Sequence, residues 1–322
     1  MTLDTDLDPG LDYRSIAFDP AARRATSLDS LVGSPSLDRL PSLDRDGTDS
    51  RRARIGRQLL RRPGFLVAIL YVLLAVVSAF APWLFTRTDP DATVPADKLL
   101  APSLAHLFGT DELGRDLFAR MVNGSALSVE ATLIAIGIAL AAGLVLGVVS
   151  GFAGRIADVA LMRFVDVLLA IPALLLSLAI VTALGFGTVN VAIAVGVGLT
   201  PGFARITRAE VLRIKTLPYV EAARGGGASW LRVVRRHILP NSWGPVLVLA
   251  VLDFGTAILA VSSLSFLGFG APPPQSEWGS LIAGGRDYLI TSPWLTLLPG
   301  LAVALIVFAL NHIAKTLEEL QR

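Results

Sequence analysis

A chain of 322 residues that is 53% hydrophobic and 17% charged is too apolar for a water-soluble domain and has the profile of a protein that crosses a membrane several times. The net charge of +2 decides nothing by itself; what matters is where Lys and Arg sit relative to the apolar runs, because they set orientation. The absence of cysteine excludes disulfides, thiolate catalysis and Cys-ligated metals, and the three widely separated histidines, His106, His237 and His312, argue against a histidine metal cluster.

Residues 1–50 hold ten Asp, five Arg and three copies of Ser-Leu-Asp, beginning at 27, 36 and 42. Such a segment buries too little apolar surface to offset the entropy of ordering, which predicts a disordered cytoplasmic tail. The repeat reads as low-complexity linker rather than as a docking motif. Arg51, Arg52, Arg54, Arg57, Arg61 and Arg62 then form a basic collar ahead of an uncharged run from Pro63 to Thr86. As a helix that run would span about 36 Å, enough to cross a bilayer, and the collar holds its start on the inner side. The long polar tail and the length of the run argue against a cleaved signal peptide.

Thr110 to Asn123 spaces Leu113, Leu117 and Met121 four residues apart, which predicts a short amphipathic helix on the outer membrane surface. Asp111, Glu112 and Asp116 there fit a capped helix with local charge pairing better than a cation site. Beyond it, charge-free stretches run from Ala131 to Gly154, Val167 to Ala204, Ile238 to Ser276 (interrupted by Asp253) and Tyr288 to Ala314. The stretch from Val167 to Ala204 would reach about 57 Å as one helix, so it folds back as two at Gly185–Asn190. A membrane domain of 51–322 follows, with six helices at about 64–85, 126–153, 159–184, 187–206, 241–267 and 294–314. Pro172 and Pro201 allow kinks in the third and fourth. With the tail set aside, eighteen Lys and Arg fall on the inner side and five on the outer, which puts both termini in the cytoplasm.

The loop 207–240, between the fourth and fifth spans, is basic and reads as a structured knob. Thr216-Leu217-Pro218 predicts a helix start, with Thr216 as the cap and Glu221 in the first turn, where the helix dipole favours a carboxylate. Gly225, Gly226 and Gly227 stop that helix and predict that it is short. Ser229 caps a second helix, with Trp230, Val233, Val234 and Ile238 on one face and Arg232, Arg235 and Arg236 on another.

The run Glu221-Ala222-Ala223, three residues, Gly227, nine residues, then His237-Ile238-Leu239-Pro240 resembles the cytoplasmic loop of bacterial binding-protein-dependent ABC importer permeases. Phe108-Gly109-Thr110-Asp111-Glu112-Leu113-Gly114-Arg115-Asp116 and Leu264-Ser265-Phe266-Leu267-Gly268-Phe269-Gly270 are similar to segments of the C-type subunit in the dipeptide and oligopeptide branch. So are Pro272-Pro273-Pro274 with Glu277-Trp278-Gly279, and Pro293-Trp294 with Pro299-Gly300. The likeness covers residues 60 to 314 in one order, which chance motif matching rarely gives.

The resemblance implies an all-α polytopic membrane protein with the type I ABC importer permease fold, six transmembrane helices, a cytoplasmic coupling helix and a disordered tail. It implies a bacterial inner-membrane subunit that forms the pathway with a second permease as a heterodimer. Two ATPase subunits, or one fused ATPase, would couple through the 216–240 loop, and an extracytoplasmic binding protein would deliver di- or oligopeptides. Related permeases also move nickel complexes, glutathione or sugars. Glu221, Ala222, Ala223, Arg224, Gly227, His237 and Pro240 would be the coupling residues, and the basic face would meet the ATPase or membrane lipid. The blander reading is that positive-inside bias explains every Arg and that Glu221 is a helix-start residue; the ordered spacing favours coupling.

No Gly-Lys-Ser/Thr phosphate loop occurs, so the chain is expected to be no ATPase and to bind no cofactor, with ATP and Mg on partner subunits. No nucleic-acid role is expected. Asp253, at membrane depth, either faces the pathway or pairs at the partner interface. Glu130, Asp158, Arg163 and Asp166 read as snorkelling or mutually paired interfacial charges. Val261 stands where related permeases often carry an acid. A secondary transporter or channel would show inverted repeats and several intramembrane acids, neither of which is evident.

Overall fold

The computed structural model describes residues 62–152 and 154–321. They belong to one of the two units into which the chain divides, Arg54–Arg322; the other, Met1–Ala53, and with it the expected tail, lies outside the described residues, as do the collar arginines from Arg51 to Arg61. Among the described residues the chain is helical, and its only strand-like pairing is one bridge between Thr110 and Asp116.

Helix α1, Pro63–Phe80, starts on a proline, whose missing N–H is harmless in a first turn. It stops short of the expected 85 because Pro82 drives Ala81 out of helical geometry, to φ −139° and ψ 58°. Helix α2, Leu117–Phe152, starts earlier than the expected 126. Asp116 precedes it and accepts the Ala119 N–H at 2.8 Å, an N-cap that satisfies one of the open donors. The expected surface helix at 110–123 is therefore a turn followed by the first turns of α2.

The expected third span, 159–184, is broken. Helix α3, Gly154–Ala170, and helix α4, Ala173–Leu184, meet at 93°. Pro172 has no N–H to continue the ladder, and the ladder resumes only with Leu176 N–H donating to the Pro172 carbonyl at 3.0 Å. At about 18 Å, α4 is too short to cross the hydrocarbon layer alone. Gly185, at φ 93°, and Gly187, at φ 124°, then turn the chain. The Asn190 amide closes this turn by donating to the carbonyls of Leu184, Gly185 and Phe186 at 3.1–3.3 Å.

Helix α5, Thr188–Lys215, runs on through polar residues past the expected 206. After the short helix α6, Pro218–Gly225, come α7, Trp230–Val233, one π turn at Val234–Ile238, and α8, Leu239–Phe266, without interruption. The fifth span, expected from about 241, continues directly from the loop's second helix: Pro240 lies in the first turn of α8, where a missing N–H is tolerated, and the π turn precedes it. Helix α9, Trp278–Gly285, and helix α10, Trp294–Gln321, complete the chain. Five helical stretches are long and apolar enough to cross a membrane, and the bent α3–α4 pair makes a sixth if it counts as one span.

The packing centre is the seam between α2 and α5. Along α2, Ala131, Ala135, Ala139, Gly143, Gly147 and Gly151 recur every four residues, and all are buried. A Cβ on Gly143 would fall 2.3 Å from Phe203 Cβ, on Gly147 2.5 Å from Thr207 Cβ, and on Gly151 2.4 Å from Val211 Cγ1. Small residues at this spacing let two backbones approach where lipid supplies no hydrophobic drive to association. Val181 of α4 and Ala257, Val261 and Leu264 of α8 close over the same core. Helices α1, α8, α9 and α10 share a second core of Ile258, Trp278, Val303, Ile306 and Leu310. By contrast Val67, Leu70 and Leu73 of α1 are more than half exposed, as a lipid-facing surface requires.

Candidate functional site

The segment between α5 and α8 folds on a core of its own. Val211 and Ile214 of α5, Val220 of α6, Val233 of α7 and Ile238 of the π turn are fully buried together. Leu217, not Thr216, stands at the α6 N-cap; the Thr216 hydroxyl instead donates back to the Arg213 carbonyl at 3.0 Å. Pro218 opens α6, and Val220 is its single buried side chain. At the other end, Gly227 N–H donates to the Arg224 carbonyl and Ala228 N–H to the Ala223 carbonyl, both at 3.0 Å, with Gly227 at φ 83°. This pair of bonds around a left-handed residue is a Schellman motif, and it satisfies carbonyls that would otherwise be open.

Glu221, Ala222, Arg224 and Gly227 are exposed along one short knob, Ala223 is half-buried, and Pro240 is exposed at the start of α8. His237 lies against Tyr219 of α6, with ring centroids 5.8 Å apart, so the two ends of the motif are brought together through that contact. Val233, Val234 and Ile238 are buried, whereas Trp230, expected on the same face, is 61% exposed and tilts against Phe152 of α2. Ser229 precedes α7 but makes no side-chain cap.

Half of the basic residues around this loop are engaged within the chain. Arg208 makes two bonds of 2.6 Å to the Asp158 carboxylate, which also accepts from the Ser150 hydroxyl, so α2, α3 and α5 are tied at one point. Arg205 pairs with Asp166 at 2.7 Å and Arg213 with Glu210 at 2.7 Å, while Lys215 donates to the Gly151 carbonyl at 2.8 Å. The acids of α3 therefore find partners on α5 rather than in Arg163, their expected neighbour. Arg224, Arg232, Arg235 and Arg236 make no ion pair among the described residues.

The opposite end of the bundle is capped by the turn 109–116. Asp111, 5% exposed, accepts the N–H groups of Leu113 and Arg115 at 2.9 Å and the Arg115 guanidinium at 2.6 Å. A side chain at Gly114 would drive its Cβ to 1.9 Å from the Val94 carbonyl oxygen. Glu277, 1% exposed, accepts the Ala271 N–H at 3.2 Å and the Thr188 hydroxyl at 3.4 Å, and forms a capping box with Ser280.

Residues 143–321, more than half of the chain, match the family model described as binding-protein-dependent transport system inner membrane component. The chain belongs to that family. It is thus a multi-pass inner-membrane permease, the membrane component of an ABC importer and not its ATPase. The permease is 41% identical over 255 residues to the di/tripeptide transport system permease protein of Pseudomonas aeruginosa, covering 77% of this chain and 84% of that one. To the glutathione transport system permease protein of Escherichia coli strain 536 it is 37% identical over 286 residues, covering 88% and 94%. A chain of the inward-facing MetNI methionine ABC transporter superposes with a TM-score of 0.51 at 18% identity, over 64% of the permease and 98% of that chain, a likeness of fold.

Asp253 of the permease stands apart from the loop residues. It is half-buried in α8, about 20 Å along the helix from Pro240, and has no hydrogen-bond or ion-pair partner among the described residues. Glu130 is exposed on α2 and likewise unpaired among the described residues, so of the two expected readings, snorkelling or pairing, the pairing is not found. Among the described residues no group of three or more His, Asp or Glu is arranged to hold a metal ion. Sequence reasoning gave Glu277 no role beyond its place in the Glu277-Trp278-Gly279 segment and gave Arg120 none, although both are almost fully buried. The available signal for Glu277 was the Glu-x-x-Ser spacing to Ser280 just before an apolar run, a capping box with an acid as the cap.

Proposed function

We propose that the permease carries short peptides inward, forming the pathway with a second permease and receiving motion from ATPases through α6 and the residues that follow it to Pro240. The observation that carries this reading is an exposed short helix, seated on its own buried core by Val220, in a loop with four arginines that make no ion pair among the described residues. Exposed charge held on a rigid knob is suited to docking, because little ordering entropy remains to be lost on binding. The small side chains of Ala222 and Ala223 let a partner groove approach the α6 backbone closely.

The α6 end then lies in the cytoplasm, in keeping with the excess of Lys and Arg around it. Closure of two ATPases draws the coupling helices of the two permeases together and biases the pathway outward; their separation returns it inward. Nucleotide and Mg belong to those ATPases, and an extracytoplasmic binding protein delivers substrate to the opposite end. Peptides are favoured as substrate because the relatives are named for di/tripeptides and for glutathione, itself a small peptide.

Ala222→Arg tests the coupling. An unpaired charge forced into a docked interface costs about 3 kcal/mol, about a hundredfold in affinity. Co-purification of the ATPase subunits and peptide uptake are both expected to be lost, while the variant still elutes from a sizing column as the native protein does. Full uptake by Ala222→Arg would overturn the reading.

A further inference from the structure

Helix α3 is held to the bundle mainly by polar contacts. Val165 is the one buried side chain among its 17 residues, and Ile156, Phe164 and Val167 are more than half exposed. Each end has backbone that can pivot. Gly154 sits at φ 82°, with no atom of the described residues within 4 Å of where a Cβ would stand, and at the far end Pro172 breaks the ladder into the 93° bend. Helix α4, beyond the bend, is anchored instead: Ser177 and Val181 are almost completely buried, Val181 in the core shared with α2, α5 and α8.

Among the described residues, every side-chain hydrogen bond from α3 to another helix runs through Asp158 or Asp166. Arg208 of α5 meets the Asp158 carboxylate as a fork, with Nε and Nη2 each at 2.6 Å, and Ser150 of α2 donates to the same group. Eight residues on, Asp166 accepts from Arg205 Nη2 at 2.7 Å. Arg155 and Arg163 each stand three residues from one of these acids on α3 itself, where a local pair could form, yet both acids pair across to α5. All four paired residues line a groove of 480 Å³, together with Val159, Met162 and Arg163, so side-chain packing does not fill the space between the two helices there. The Arg205 and Asp166 side chains are 58% and 50% exposed, and pairs of that kind add little to stability. What two pairs about 12 Å apart along α3 do fix is its direction, since α3 cannot turn or slide against α5 without breaking one of them.

Helix α5 in turn belongs to the core of the α6 loop through Val211 and Ile214, within two turns of Arg208. We propose that Asp158 and Arg208, seconded by Asp166 and Arg205, are positioning residues for transport: they strap α3 to α5, so that displacement of α6 swings α3 about Gly154 and Pro172 while α4 stays in the core. This rests on the reading that α6 receives motion from ATPases, and extends it to the route by which that motion enters the membrane. A static helix is held by packing, whereas an arm that has to move is held at the points where it is driven.

The test uses the full chain in proteoliposomes with its partner permease, ATPases and binding protein. Asp158→Asn is expected to leave the ATPases bound and hydrolysing ATP, but to lower dialanine uptake per ATP hydrolysed about tenfold. Asp158→Arg combined with Arg208→Asp restores the pair with its charges exchanged, and is expected to recover most of that ratio. Motion is read directly, because the natural sequence has no cysteine. Nitroxides on Ile156→Cys of α3 and Ile290→Cys at the opposite end, both almost fully exposed, are expected to change their separation when ATP is added, and to stop doing so once Asp158→Asn is introduced.

Unchanged uptake per ATP in Asp158→Asn would overturn the proposal, as would a nitroxide separation that still responds to ATP in that variant. Loss of ATPase co-purification from Asp158→Asn would make the pair a part of assembly rather than of motion, and would overturn it as well, as would a charge exchange that recovers nothing. Ala222→Arg separates the two levels. If it abolishes uptake while Asp158→Asn transports normally, coupling through α6 stands and the strap falls; if it transports fully, both fall.

Discussion

Three consecutive glycines end α6, and only one of them is demanded by the backbone. Gly227 sits at φ 83°, where an L side chain is strained, whereas Gly225 and Gly226 have room for a Cβ and ordinary dihedrals. Gly227→Ala is expected to cost about 1 kcal/mol and to speed hydrogen exchange over 218–228 by roughly fivefold. Gly225→Ala, inside the helix, is expected to slow the same exchange by a few-fold, because alanine gains about 0.5–1 kcal/mol over glycine there. Equal responses at the two positions would contradict the Schellman assignment. Pro218 and the glycine run mark both ends of α6 in the sequence, but not which glycine turns the chain; that follows from the hydrogen bonds of Ala228 and Gly227. Thr216 and Trp230 misled for a related reason: Pro218 itself opens α6, which makes Leu217 the cap and frees the Thr216 hydroxyl to bond back to Arg213, and Trp230, in the first turn of the short α7, leans on Phe152 instead of entering the loop's core.

At the scale of elements, apolar runs in the sequence mark what lies in the membrane, and the helices continue wherever polar residues also favour them. Helix α5 therefore reaches Lys215, and α2 begins at Leu117. The 93° bend between α3 and α4 was not legible, because a proline announces only a lost hydrogen bond, and neighbours decide the angle. The α2–α5 seam was legible in principle, as six small residues spaced by four, but hydropathy treats Ala and Gly as weak members of an apolar run and hides them. Gly147→Leu tests its weight. The added side chain would strike Thr207 and the Ala204 carbonyl, an overpacking expected to cost about 3 kcal/mol or more and to lower the melting temperature of the purified protein. Gly137→Ala on the exposed side of the same helix, with nothing within 4 Å of its Cβ, is expected to leave that temperature unchanged or slightly raised. If both variants melt alike, close approach of α2 and α5 is not what holds the bundle.

For the molecule as a whole, composition and motif order were enough to place the chain in its family, because charge-free runs and a spaced loop survive in sequence without any knowledge of packing. Orientation is a separate physical statement. It rests on eighteen Lys and Arg against five, and on the fact that several of the eighteen are already neutralised by ion pairs within the chain. Pairing in the folded state does not weaken the argument, because the bias acts during insertion, before Arg208 has met Asp158. Arg224→Cys at the α6 end and Leu104→Cys at the opposite end, where Leu104 is fully exposed, report the two sides in a chain otherwise free of cysteine. An impermeant thiol reagent applied to intact spheroplasts is expected to label Leu104→Cys at once and Arg224→Cys only after lysis. The reverse pattern would put α6 outside, beyond the reach of any cytoplasmic ATPase.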